Sequence, residues 1–477
     1  MIYLGTNNQM KQLIIGIDGG TKAIFEKMDM PFFQKLLADN PSPRLEIDLL
    51  SRGWAEQLTG KYARDTKGFY RFPLLDGTQK TVLKYSLEKM LSHDDVTPIW
   101  EIPQSRGIRV GVMNIPTTFP APKVDGFFVS GAGGGINKVD GVPEKMCYPS
   151  AIAKRLEEAG YVIDLRPGTA GITDVGELFQ RLTEMLENRC EAFLSLCSQH
   201  DPKFAFLAFR VATVVQYLAM SELEAVWGCN FRNENEIDPV WAGNIAKLYR
   251  KIDECFERIF SHTNPEQWIF SSDHSIVPYY YRCNGNAFLE QSGFQNSSIN
   301  FTGTAKSLAK TLLRKSKFGV RRTIDFETTK AFCDWYVSAV FVNDEKRFGG
   351  PVKESELNDV VDQICEKFNS HTVSKKHEMK AMPYRRNHLN ARYEQFLPDI
   401  KVDCHESIFF VKEGPFMSEN PDYERLPDLT SVKGSMHSGQ KGRHPLFVCD
   451  QKTRELIDDK DPLDLTLIYK LTERIFS

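Results

Sequence analysis

Two places in this chain carry residue types that could do chemistry. In the first, the apolar run Trp268-Ile269-Phe270-Ser271 passes through Ser272 into an adjacent carboxylate and imidazole, Asp273-His274. Such a run reads as a buried strand, and ligands in an α/β sheet are usually bound at the carboxyl ends of strands. An Asp-His pair there points to a metal ion. Adjacent side chains on an extended strand face opposite ways, so both reach one ion only where the strand breaks into a loop. Ser275, Val277 and Pro278 are consistent with that break. In the second place, the apolar run over residues 12–17 is followed at once by Asp18-Gly19-Gly20-Thr21. A carboxylate leaving a first strand through glycines can hold a cation at a sheet edge, and it can equally cap the next helix. The glycines lack the G-x-G-x-x-G spacing of a dinucleotide site.

The elements that must position these groups alternate along the chain. After the first strand, residues 32–37 read as an amphipathic helix and 44–50 alternate with period two as a second strand, ending at Ser51-Arg52-Gly53-Trp54. Residues 107–116, 126–131 and 204–212 read as further strands, and 176–198 and 239–260 as helices. The alternation predicts an α/β fold, a central mainly parallel sheet with helices on both faces. Gly133-Gly134-Gly135 lacks the Gly-Lys-Ser/Thr ending of a phosphate loop and reads as a flexible connection. The basic segment over 370–390 reads as an exposed connection.

Composition narrows the class. Hydrophobic residues at 41% and charged residues at 26% describe an ordinary globular protein and exclude disorder. A net charge of -3 leaves no broad basic field for a polymeric nucleic acid. Ten cysteines without a C-x-x-C pair read as reduced thiols, and no run approaches the ~18 to 20 apolar residues of a membrane span. The expectation is a soluble cytoplasmic protein, bound to neither membrane nor nucleic acid. Its 477 residues are read as a single domain over 1–477, with pocket-shaping insertions at about 61–100 and 276–320.

Six short stretches, in order, resemble the type I phosphodiesterase and nucleotide pyrophosphatase branch of the alkaline phosphatase superfamily. They are Gly16-Ile17-Asp18-Gly19, Trp54-Ala55-Glu56-Gln57-Leu58-Thr59-Gly60, Asn114-Ile115-Pro116-Thr117-Thr118-Phe119-Pro120, Ser272-Asp273-His274, Thr329-Lys330-Ala331-Phe332 with Val342-Asn343, and Gly434-Ser435-Met436-His437. The resemblance implies an alkaline-phosphatase-like fold with two metal sites, usually zinc, at the carboxyl edge of the sheet, and a Ser or Thr nucleophile starting a helix after the second strand. Asp18, Asp273 and His274 match the first metal site, and His437 looks like a histidine of the other. Mixed Asp and His ligation suits zinc, with manganese or magnesium as alternatives.

Two departures stand out. Where the family has an Asp and, four residues on, a His for the second ion, this chain has Thr213 and Tyr217, so the resemblance leaves open one ion or two. At the nucleophile position the spacing falls on Leu50, and Ser51, one residue on, is the expected nucleophile, with an N-cap serine as the alternative. Arg52 is a candidate contact for a phosphate oxygen. Asn114, ending a strand near the same edge, is a candidate for orienting substrate or a turn former. The function expected is a metal-dependent hydrolase of a small phosphodiester or nucleotide-like ester. A phosphomonoesterase, or a binding or scaffold protein that kept the fold and lost the chemistry, are the alternatives.

Overall fold

The computed structural model describes residues 9–82, 90–132, 141–165, 170–226, 238–299, 322–334, 338–430 and 437–477; the triple glycine and parts of both expected insertions lie outside them. The chain divides into two compact units. The first comprises Met1–Tyr70, Lys84–Tyr280 and Asn420–Ser477, the second Arg71–Leu83 and Tyr281–Glu419.

In chain order the described strands of the first unit are β1 (Gln12–Ile17), β2 (Val110–Met113), β3 (Gly126–Val129), β4 (Cys147–Tyr148), β5 (Phe204–Phe209), β6 (Gln267–Ser271), β7 (Ser275–Pro278), β8 (Gly439–Gly442) and β9 (Phe447–Cys449). Strands β7 and β8 form an antiparallel ribbon. The other seven make one sheet in the order β9-β6-β1-β5-β2-β3-β4. The inner pairs run parallel and only the end strands β9 and β4 run antiparallel. This is the mainly parallel α/β sheet expected.

The inner strands are largely apolar because helices cover both faces. Leu13, Ile15 and Ile17 of β1 enter one core, with Phe193 of α3 (Val175–His200), Phe256 of α5 (Pro239–Thr263) and Phe33 of α1 (Pro31–Asp39). Ile14 enters the opposite core, with Trp54 of α2 (Gly53–Thr59) and Leu471 of α6 (Thr466–Phe476). Gly16 faces this second side and leaves room for the indole: a Cβ there would lie 2.7 Å from the Trp54 ring. Between α3 and α5 in the chain, α4 (Val211–Leu218) follows β5 directly.

The strand expected over residues 44–50 does not form. Leu45 and Ile47 do bury themselves in the second core, which explains the period-two alternation. Their backbone finds loop partners instead of a strand, Glu46 N–H bonding to Leu463 O and Ile47 N–H to Arg443 O, both at 2.9 Å. At Leu49 the chain turns through a φ of 59°.

The second unit carries a four-stranded antiparallel sheet with its own apolar core. Lys380–Pro383 forms its edge, paired with Ile400–Asp403, which corrects the expectation that 370–390 is only a connection. Buried Arg347 braces this unit by bonding to Asp344 at 2.6 Å and Asp399 at 2.5 Å.

Candidate active site

Parallel pairing brings three strand ends to one level. Ile17 sits opposite Phe209, and Gly16 opposite Ser271, so Asp18, Arg210 and the segment Ser272-Asp273-His274 leave the sheet side by side. Strand β6 ends at Ser271 and β7 starts at Ser275, which is the break that an Asp-His pair needs to face one point. Asp18 is no helix cap: its own N–H bonds to Phe209 O at 2.8 Å, and the next helix starts at Lys22 behind Thr21. Gly19, at a φ of 68°, turns the chain so that its N–H donates to Asp273 Oδ1 at 3.3 Å.

A buried framework fixes the Ser272–His274 turn. Gln57 of α2 donates to Ser272 O at 3.1 Å and accepts from Ser271 Oγ at 2.8 Å. Ser272 Oγ donates to Gly20 O and accepts from Leu446 N–H. Helix α2 starts hard against the turn, since a Cβ at Gly53 would lie 2.1 Å from Asp273 O.

Asp18, Asp273 and His274 each offer one donor atom within 4.8 Å of the others, all three residues being buried. Among the described residues this is the group of acidic, histidine or cysteine side chains able to hold a metal ion. His274 Nδ1 lies 2.8 Å from Ser275 O. A carbonyl only accepts, so Nδ1 carries the proton and Nε2 keeps its lone pair, 3.4 Å from Asp273 Oδ2. Burial, helped by the Lys441 ammonium, lowers the His274 pKa to about 3, so the ring is neutral as a metal ligand must be. Burial and the neighbouring Asp18 push the Asp273 carboxyl up to about 7. Burial also opposes ionisation of Asp18, but Arg210, His274 and Lys441 together outweigh it and hold this carboxyl below its ordinary value. Two carboxylates and a neutral imidazole with a fixed tautomer fit a zinc-type ion.

The site also contains cationic groups of its own. Arg210 Nε bonds to Asp18 Oδ2 at 3.1 Å, and its far end pairs with Asp164. Lys441 Nζ lies 3.3 Å from Tyr70 Oη and 4.5 Å from the centre of that ring, and Tyr70 Oη in turn lies 3.4 Å from Asp273 Oδ2. Burial lowers the Lys441 pKa to about 8, against the pull of Asp273 and Asp18. Neither Arg210 nor Lys441 stands out from sequence as part of the centre. Arg210 did carry a signal, a charge ending the apolar run of β5 at the level where Asp18 ends β1. Lys441, between Gly439 and Gly442, carried none.

Thr213 and Tyr217 do lie at this centre. A Cβ on Gly19 would meet Thr213 Oγ1 at 2.5 Å, and the Tyr217 ring lies 6.3 Å from that of His274. Helix α4 and strand β8 press together here, since a Cβ at Gly439 would fall 2.1 Å from Gln216 O. Backbone N–H groups of His437 and Ser438 both bond to Tyr217 O.

The remaining expected residues sit differently. His437 does not join the cluster: with its backbone tied to α4, its Nε2 sits 2.6 Å from Arg425 O. Ser51 is buried, and its Oγ accepts from Ala63 N–H at 3.0 Å and also acts on Glu56, whose carboxyl burial raises well above the usual range. Leu50 beside it is buried. The Arg52 guanidinium donates through Nε to Phe69 O at 3.0 Å and stacks 5.5 Å from the Tyr70 ring centre, which places it near Tyr70. Asn114, at a φ of 61°, donates to Ala208 O and accepts from Tyr161 Oη, which braces β2 against β5.

The sequence pattern of the family described as Type I phosphodiesterase / nucleotide pyrophosphatase matches residues 12–415. The chain belongs to that family. Membership of the Type I phosphodiesterase / nucleotide pyrophosphatase family places it among phosphoester hydrolases, in the alkaline phosphatase superfamily. Among solved structures, phosphonoacetate hydrolase from Sinorhizobium meliloti 1021, in complex with phosphonoformate, is similar at a TM-score of 0.54 and 9% identity, covering 98% of this chain and 96% of that one. Murine ectonucleotide pyrophosphatase / phosphodiesterase 5, an inactive form in complex with AMP, is similar at a TM-score of 0.44 and 12% identity, covering 92% and 88%. At such identities the former likeness speaks to the fold alone. No curated protein matches the sequence. Among the described residues no helix is long and apolar enough to cross a membrane.

Proposed function

We propose that this protein hydrolyses a small phosphate ester, of the diester or nucleotide-like type, at a one-ion centre formed by Asp18, Asp273 and His274, with zinc as the ion. The observation that carries the reading is the convergence of those three buried donors within 4.8 Å, with His274 Nε2 held ready as a ligand. A bound divalent ion would lower the pKa of a coordinated hydroxyl and offset charge gathering on the phosphoryl oxygens. Thr213 and Tyr217 are neutral and offer a second ion no anionic ligand, which supports one ion rather than two. Ser51 is the proposed nucleophile, and its attack requires Oγ to give up the Ala63 N–H and turn from Glu56. Arg52, beside Tyr70, is proposed to meet a phosphate oxygen. Among the described residues, eight cysteines buried as free thiols support a reducing, cytoplasmic setting.

A second reading, a binding protein that keeps the fold without turnover, is favoured by Leu50 at the nucleophile position and by the engagement of the Ser51 hydroxyl. One experiment separates them: metal content of the purified protein, measured beside hydrolysis of bis(p-nitrophenyl) phosphate and p-nitrophenyl phosphate with added zinc or manganese. Wild type, Asp273→Ala and Ser51→Ala are compared. About one ion per chain, with turnover lost in both variants, supports hydrolysis through Ser51. Turnover surviving Ser51→Ala but not Asp273→Ala removes Ser51 from the mechanism. Ion binding without turnover on either substrate moves the binding-protein reading to first place.

A further inference from the structure

The acidic centre is compensated by fixed cations. Thr213 and Tyr217, at the positions where the resemblance would have ligands of a second ion, contribute a neutral hydroxyl and a phenol next to Gly19 and His274. Lys441 enters from β8, held there by the close approach of Gly439 to α4, and reaches Tyr70 Oη at 3.3 Å. That hydroxyl is 3.4 Å from Asp273. From the β5 end, Arg210 reaches Asp18 at 3.1 Å and is anchored behind by Asp164. Three acidic groups, Asp18, Asp164 and Asp273, thus face two half-buried basic ones. One added divalent ion on Asp18, Asp273 and His274 over-neutralises the centre enough to attract an anion, whereas a second would lie against an ammonium and a guanidinium.

We propose that the second cation of this centre is built into the chain: the Lys441 ammonium, backed by Arg210, stands in for a second metal ion and binds an oxygen of the phosphoryl group. The proposal rests on the one-ion reading above and extends it by naming the group that completes phosphate recognition. Arg210 is committed to Asp18 and Asp164, so it positions the first carboxylate. Lys441 sits on the aromatic face of Tyr70, an arrangement that holds an ammonium without consuming it in an ion pair. A lysine in this role is a point charge with three donors and suits a phosphate oxygen.

The test measures metal stoichiometry after equilibrium dialysis against zinc or manganese, and binding of inorganic phosphate by calorimetry with and without the ion. It uses the full chain as wild type, Lys441→Met and Lys441→Arg, with circular dichroism confirming folding. Wild type and both variants should hold one ion each. Phosphate affinity should fall about 10- to 100-fold in Lys441→Met, the loss of one charged hydrogen bond, and recover in Lys441→Arg. A companion variant, Thr213→Asp/Tyr217→His/Lys441→His, should take up a second ion, while Thr213→Asp/Tyr217→His with Lys441 kept should not. Two ions on wild type, or phosphate bound equally well by Lys441→Met, overturns the proposal. An ion-free wild type that still loses phosphate with Lys441→Met upholds the role of Lys441 and instead overturns the metal reading of Asp18, Asp273 and His274.

Discussion

Replacing Arg210 with methionine removes one charge and keeps the stem, so it asks what the guanidinium does for the acidic centre. The side chains it leaves behind, Asp18 and Asp164, are only 10% and 8% exposed. Removing one partner of a buried ion pair costs about 3 to 5 kcal/mol, because the other charge stays buried and uncompensated. The lower end, about 3 kcal/mol, applies here, since Arg210 itself keeps 17% of its side chain exposed and Lys441 still faces Asp18. The pH dependence has a definite sign. In wild type the Asp18 pKa lies below the ordinary 3.8, so its contribution to stability is present above that value and is lost as pH falls through the lower folded value. Without Arg210 burial dominates, the Asp18 pKa rises, and ionisation becomes a penalty that grows with pH. The deficit of Arg210→Met should therefore be largest at pH 7 to 8, shrink as the pH falls, and disappear only below the lowered Asp18 value, itself under 3.8. A divalent ion at 100 times its dissociation constant adds about 2.7 kcal/mol to either protein, and the variant should reach that at lower ion concentration because no guanidinium competes for Asp18. Urea unfolding followed by tryptophan fluorescence reads this out, because Trp54, Trp100, Trp241 and Trp268 lie in the first unit. A deficit under about 1 kcal/mol, or one as large at pH 4 as at pH 8, refutes the reasoning.

Two further predictions concern Glu224 and Gly53. The Glu224 carboxyl, bonded by Tyr280 Oη at 2.8 Å, is pushed by burial from 4.5 up to about 7, so keeping it ionised costs about 3 kcal/mol above pH 7. The folded state binds the extra proton, so stability falls between pH 4.5 and 7. Glu224→Gln should flatten that slope and raise the midpoint of thermal unfolding at pH 8; an unchanged slope would show that Glu224 does not titrate as described. Gly53→Ala puts a methyl 2.1 Å from Asp273 O, and neither α2 nor the turn can yield without moving Asp273. It should lower stability by about 1 to 3 kcal/mol and weaken zinc binding about tenfold or more, and native-like zinc affinity by calorimetry would count against the packing argument.

The convergence of Asp18, Asp273 and His274 was legible in the chain because it obeys local rules. An apolar run long enough for a strand, ended by a carboxylate, recurs at residues 12–18 and 268–273, and parallel pairing of β1 with β6 makes the two ends neighbours. Alternating strands and helices likewise announce a mainly parallel sheet covered on both faces. Residues 44–50 misled the reading because burial alternated along them while their N–H groups went to loops, and hydrophobic period reports burial rather than pairing.

What only the tertiary structure decided is which charges meet. Arg210, Lys441 and Tyr70 come from three segments up to 371 positions apart, and they converge because β8 is pressed onto α4 at Gly439 and the segment around Tyr70 returns beside Leu50. The same packing draws the His437 side chain to Arg425 O, ties up Asn114 on Ala208 and Tyr161, and turns the Ser51 hydroxyl to Ala63. Sequence patterns record what each segment buries and where it ends. The partner of a side chain beyond that end depends on loop paths and close backbone approaches, which composition and periodicity leave open.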